Sequence, residues 1–196
     1  PASWAALAKR AGMRYAVMTT KHHEGFCLFD SEYTDFDVAN TPAKRDLVGP
    51  YVKAFRDEGL KVGFYFSVID WHHPHYPVKG DRLHPSRDDP KYVEQDRDLD
   101  RYIDYLHKQS RELLTEYGPI DIMWWDFSYG RMAGETWRAK DLVAMCHELQ
   151  PHIVMNNRLW IDGLNPHGDF ATPEQHVPAN GVPGLDWETC MTINDT

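Results

Sequence analysis

Asp126 ends the run Ile120-Asp121-Ile122-Met123-Trp124-Trp125-Asp126, just before Phe127-Ser128-Tyr129-Gly130. The run is β-prone and the tetrapeptide turn-prone, so the carboxylate falls at a strand end among aromatic rings. Alternation along a strand puts Trp124 on the face of Asp126 and turns Trp125 the other way. A carboxylate held by backbone in a water-poor aromatic pocket suits nucleophilic attack on an anomeric carbon. An N-capping or ion-paired aspartate would leave the same trace. The second feature is Lys21-His22-His23-Glu24-Gly25-Phe26, which follows the apolar segment Met13 to Thr20. Two histidines where a strand gives way to a loop fit a ligand site at the C-terminal edge of a parallel sheet, although surface or ion-paired histidines read alike.

Acid–base chemistry needs a partner for Asp126, and two glutamates qualify. Glu174 lies in the loop-like Asp169-Phe170-Ala171-Thr172-Pro173-Glu174-Gln175-His176, and Glu188 in the more strand-like Trp187-Glu188-Thr189-Cys190. A general acid needs a raised pKa and freedom to meet the leaving oxygen, which favours Glu174 on its loop and keeps Glu188 in reserve. Asn156-Asn157-Arg158 ends a further strand with groups that bind hydroxyls or fix a carboxylate, uses shared with capping and ion pairing.

The elements that must carry these residues alternate in type. Trp4 to Ala11 is helix-prone, and Gly12 stops it. Val48, Tyr51, Val52 and Phe55 mark one face of a second helix capped by Asp46. Lys61 to Ser67 is a second strand. A long loop from about Asp70 to Pro90 carries His72, His73, His75 and His84, and loops of that length are functional or disordered. Leu99 to Tyr117 is the clearest helix, stopped by Gly118-Pro119. After the Asp126 strand come a helix from Trp137 to Leu149, a fourth strand from His152 to Arg158, and short strands around Phe170 and Trp187. Strand–helix alternation predicts an α/β fold with a parallel sheet. Four strands with their helices make about half of a (β/α)8 barrel, which needs roughly 250 residues. The expected architecture is therefore a partial TIM-like barrel, with an open doubly wound sheet as the alternative.

Composition narrows the partners. The 196 residues carry a formal charge of −9, which argues against nucleic acid. Seven tryptophans and ten tyrosines beside that acidity suit sugar binding, since ring faces pack on pyranoses while carboxylates bind hydroxyls. Three scattered cysteines imply neither a disulfide framework nor zinc. No apolar run reaches membrane-spanning length, so no membrane partner is expected. Eleven histidines raise a metal-dependent hydrolase as an alternative. No HExxH spacing supports it, and neither a metal nor another cofactor is expected.

Lys21-His22-His23-Glu24-Gly25-Phe26-Cys27, Tyr65 in Phe64-Tyr65-Phe66-Ser67, Asp70-Trp71-His72-His73-Pro74, Trp124-Trp125-Asp126 and Asn157-Arg158 together resemble glycoside hydrolase family 29, the retaining α-L-fucosidases. The resemblance runs in order over nearly the whole chain, and its KHHxGF element is highly specific. It implies a barrel-like catalytic domain that releases terminal α-L-fucose from oligosaccharides or glycoconjugates by double displacement. It makes Asp126 the nucleophile and Glu174 the acid/base, with Arg158 supporting the acid/base end. His22, His23, Tyr65, Trp71 and Trp124 would contact the sugar. Residues 1–196 are then expected to be one piece of a single catalytic barrel, lacking an N-terminal strand region and a C-terminal β-sandwich. A secreted or periplasmic location follows at family level only. A non-catalytic sugar-binding module is the remaining alternative.

Overall fold

In the computed structural model, residues 1–160 and 168–192 are described. The chain runs α1 (Ala2–Arg10), β1 (Tyr15–Lys21), α2 (Val48–Asp57), β2 (Lys61–Ser67), α3 (Pro90–Val93), α4 (Leu99–Glu116), β3 (Ile122–Asp126), a 3-10 turn (Gly134–Trp137), α5 (Ala139–Leu149), β4 (Val154–Met155), β5 (Phe170–Ala171) and β6 (Asp186–Trp187). β1 to β4 form one parallel sheet in sequential order, and β5 and β6 form a parallel pair. A single bridge from Asn156 to Phe170 continues the order from β4 to β5. A doubly wound sheet reverses its strand order part-way. This one does not, and it is an arc of a (β/α)8 barrel.

The two faces of the arc differ as the sequence pattern requires. Val62, Phe64 and Phe66 of β2 and Met123 and Trp125 of β3 are buried together with Val52 and Phe55 of α2, Leu106 and Leu113 of α4, and Leu142 and Cys146 of α5. Each of these large side chains contributes about 2 kcal/mol through burial. The opposite face carries Tyr15, Val17, Tyr65, Trp124 and Asp126 towards the barrel interior. There Gly63 lets β1 and β3 approach: a Cβ on it would lie 2.8 Å from Ile122 and 3.0 Å from Val17.

Local chemistry set most boundaries. Asp46 accepts from the backbone N–H groups of Val48 (3.0 Å) and Gly49 (2.7 Å), which fixes the start of α2. Asp98 does the same for α4 through Arg101. The predicted fourth strand from His152 to Arg158 shrinks to two residues. Asn156 ends it by using its amide as backbone: Oδ1 accepts from Trp125 N–H (3.0 Å) and Nδ2 donates to Trp125 C=O (2.8 Å). The predicted helix at Trp137 begins instead as the 3-10 turn, and Arg138 in the left-handed region (φ 49°) separates it from α5.

Candidate active site

β3 brings Asp126 to the C-terminal edge of the sheet, and the backbone turns sharply behind it. Phe127 has φ 79°, a region that bulky residues enter only under strain. Its N–H donates back to Asp126 Oδ1 at 2.9 Å. Three donors therefore converge on this carboxylate, since the Tyr65 hydroxyl reaches Oδ2 at 2.5 Å and Arg158 reaches Oδ1 at 2.9 Å. Tyr65 lies opposite Trp124 in the β2–β3 register, two pairs before Asp126 and on the same face. Burial, and then the neighbouring Asp126 charge, push its pKa far above the ordinary value, so the hydroxyl stays a donor.

Arg158 joins the two predicted carboxylates. Its other terminal nitrogen lies 2.9 Å from Glu174 Oε2. The same side chain donates to the Thr172 hydroxyl (2.7 Å) and Thr172 C=O (3.1 Å), and its guanidinium lies 4.6 Å over the Trp124 ring. Burial alone would weaken this cation, but Asp126 and Glu174 more than compensate and raise its pKa. One planar fork thus spans both carboxylates and limits their separation to about 8 Å or less. Arg158 and Asp126 are similarly enclosed (16% and 14% side-chain exposure), whereas Glu174 is open at 56%. Asp126 sits at the inner end and Glu174 at the solvent edge of a cleft of about 720 Å³.

The loop expected to carry Glu174 freely is fastened at its base. Gln175 N–H donates to Cys190 C=O (2.8 Å) and Cys190 N–H to Pro173 C=O (2.9 Å), extending the β5–β6 pairing past Glu174. That pairing also directs Glu188 elsewhere. Its carboxylate accepts from the Trp124 indole N–H (2.5 Å) and the Tyr15 hydroxyl, inside the barrel arc. Of the two glutamates, only Glu174 faces the cleft.

The predicted sugar-contacting residues form a row along the sheet edge. His22 stacks on Tyr65 at 5.6 Å and 10°, and Tyr65 stacks on Trp124 at 5.4 Å and 22°. His23 is buried between His22, Phe127 and Trp71, with Nδ1 2.8 Å from the Ser67 hydroxyl. Burial, and next the His22 beside it, lower its pKa to about 4. It is therefore neutral near pH 7. Trp71 stands edge-on to His23, and its indole N–H is taken by Asp81 at 3.0 Å. Asn157 lines the cleft, unlike Asn156, whose amide braces β3.

Two supports were not read from sequence. Lys21 is fully buried beside Asp70 (3.4 Å) and Gln109 (3.1 Å), with its ammonium 4.3 Å from the Phe66 ring centroid. Asp70 also accepts from His72 and His73 N–H, so this pair ties the histidine segment to the long loop. Asp81 organises the rest of that loop, accepting from Trp71, Tyr76, Tyr129 and the N–H groups of Leu83 and His84. Burial would raise its pKa, but the hydrogen bonds it accepts, those from Tyr129 and Tyr76 foremost, outweigh burial and hold it low. Among the described residues, no group of three His, Cys, Asp or Glu side chains could hold a metal ion.

The whole chain, residues 1–196, matches the family Alpha-L-fucosidase. It belongs to that family. The α-L-fucosidase isoenzyme 1 of Paenibacillus thiaminolyticus is 53% identical with a TM-score of 0.93, over 99% of this chain and 48% of that one. A Bacteroides thetaiotaomicron α-L-fucosidase of glycoside hydrolase family 29, trapped as a covalent intermediate with 2-fluoro-fucosyl fluoride, is 36% identical with a TM-score of 0.78, over 97% of this chain and 45% of that one. The plasma α-L-fucosidase of Homo sapiens is 28% identical over 97% of this chain and 39% of its own length. The chain thus spans about two fifths of the length of the curated relatives it matches.

Proposed function

We propose that the protein containing this chain is a retaining exo-glycosidase that releases terminal α-L-fucose from glycoconjugates. The observation that carries the reading is the Arg158 guanidinium held between Asp126 and Glu174 at the strand ends. Asp126 attacks the anomeric carbon while Glu174 protonates the departing glycosidic oxygen, giving a covalent fucosyl-enzyme. Glu174 then takes a proton from water, which displaces Asp126 and releases fucose with retained configuration. Retaining enzymes keep these carboxyl groups about 5–5.5 Å apart, a spacing that one bridging guanidinium permits. Tyr65 and Arg158 donate hydrogen bonds that aim Asp126, and the Arg158 guanidinium reaches from it to Glu174. His22, His23, Tyr65 and Trp124 offer the sugar one stacked wall, with Trp71 fixing His23.

The bound fucosides named for related structures, fucosyl-α1,6-GlcNAc among them, support this substrate class. A plasma relative supports an extracellular location. No helix among the described residues is long and apolar enough to cross a membrane. We also propose that residues 1–196 form part of one catalytic barrel, with its other strands elsewhere in the protein. The exposure of Trp4, Leu7, Tyr15 and Val154 supports that reading, because those apolar groups await a neighbour.

The test is hydrolysis of an aryl α-L-fucoside by the full-length protein and its Asp126→Ala variant. Turnover is expected to fall by 1,000-fold or more, on the order of a lost nucleophile, and to recover with added azide. An Asp126→Ala variant as active as its parent, or a parent that binds fucose without turnover, would overturn the reading. The second outcome would establish a sugar-binding module.

A further inference from the structure

The cleft at Asp126 continues beyond the reacting bond. At about 720 Å³ it falls among sites that enclose a whole drug-sized ligand, and Arg82, Tyr129 and His176 line it together with Asp126 and Glu174. At the inner end the single guanidinium of Arg158 lies between Asp126 and Glu174. The lining also includes Arg82. Arg82 lies over the Tyr129 ring, 5.3 Å from its centroid, and has no ion-pair partner among the described residues. Arg158, which also lines the cleft, is paired with both Asp126 and Glu174. Asp81 does not neutralise Arg82 by direct pairing, since it is buried and its oxygens receive donors from the loop and from Tyr129. Those bonds fix the backbone that presents Arg82. A second guanidinium, from Arg131, lies 3.5 Å from where a Gly80 Cβ would be, on the same loop.

A guanidinium on a cleft wall with no ion-pair partner among the described residues suits recognition of an anion. We propose that the outer cleft is a leaving-group subsite for a sugar bearing an anionic substituent, a carboxylate or a sulfate, bound by Arg82. The inference rests on the fucosidase reading and supplies the aglycone class that the reading leaves open. The planar fork of Arg82 matches either anion.

The experiment compares kcat/KM of the full-length protein on fucosyl disaccharides of one linkage, with the second sugar neutral, carboxylated or sulfated. At low salt an anionic aglycone is expected to be preferred roughly tenfold, the size of one charge-assisted pair. The preference should shrink at high ionic strength. Arg82→Gln should bring the ratio close to one, Arg82→Lys should keep part of it, and Arg82→Glu should invert it. The arm that gains, carboxylate or sulfate, identifies the source of the anion. A parent ratio at or below one, or a ratio unchanged in Arg82→Gln, overturns the subsite while the fucosidase reading stands. Loss of turnover on all three substrates in the parent overturns both.

Discussion

Glu188 shows how far one residue's role depends on its surroundings. Its carboxylate accepts from Trp124 and Tyr15, and the Trp124 ring in turn supports Tyr65 and the Arg158 guanidinium. Both of those groups bind Asp126. Under the proposed mechanism Glu188 would be a positioning residue, acting through the Trp124 plate. Glu188→Ala leaves the indole N–H without its acceptor, a loss of about 1–3 kcal/mol, and should lower kcat more than it changes KM. Glu188→Gln keeps an acceptor and should retain most activity, with the acid and basic limbs of the pH–rate profile unmoved. Glu174→Gln should instead remove the limb that reports the proton donor. If the two glutamine variants exchange these behaviours, the roles of the glutamates are exchanged too. Asp126 was legible in sequence because strand alternation and a turn signal frame it. Glu188 was not, since its partners Tyr15 and Trp124 are 173 and 64 residues away and meet it only through β5–β6 pairing.

Among the elements, those governed by local signals were read well and those governed by distant contacts were not. β2 runs from Lys61 to Ser67 as expected, because Gly59 ends the helix before it and its interior is apolar. β4 is cut short by the Asn156–Trp125 contact, which no periodicity encodes. The loop from Asp70 to Pro90 was recognisable by length, but its order depends on Asp81 and buried tyrosines. The segment after β1 makes a sharper test. Gly25 has φ +86°, and a Cβ there would lie 2.1 Å from Asp70 Oδ1. Gly25→Ala must therefore move Asp70 and separate it from Lys21, leaving a buried ammonium poorly paired. Breaking such a pair costs about 3–5 kcal/mol. Urea unfolding should register a loss of that size. His22 and His23 should lose their placement with it, lowering turnover even below the unfolding midpoint. A Gly25→Ala protein of parental stability would show that the segment can shift freely.

For the whole molecule, the sequence conveyed the parallel α/β arc and the sugar-oriented aromatic richness, but not how burial sets its charges. That burial gives a stability profile with a definite sign. His23 and His73 both have pKa values lowered to about 4, first by burial, against an ordinary value near 6.5. Between about pH 6.5 and pH 4 the unfolded chain binds protons at these positions and the folded chain does not, so stability rises with pH across that window. It should be level with respect to these two groups above about pH 7. Below pH 4 Asp81 adds a further loss, because its folded pKa is depressed and the unfolded chain takes up its proton first. Glu112 works against the trend: burial raises its pKa, so it favours the folded state as pH falls through the carboxylate range. The two histidines outweigh this one buried glutamate above about pH 5, where an ordinary glutamate is already ionised. Urea midpoints measured from about pH 4 to pH 8 should therefore climb to near neutrality and then level. His73→Gln should flatten the climb without touching Asp126, and His23→Gln should flatten it while also impairing turnover. A midpoint constant from pH 4 to pH 7 would show that both imidazoles are protonated as readily in the folded protein as in the unfolded chain.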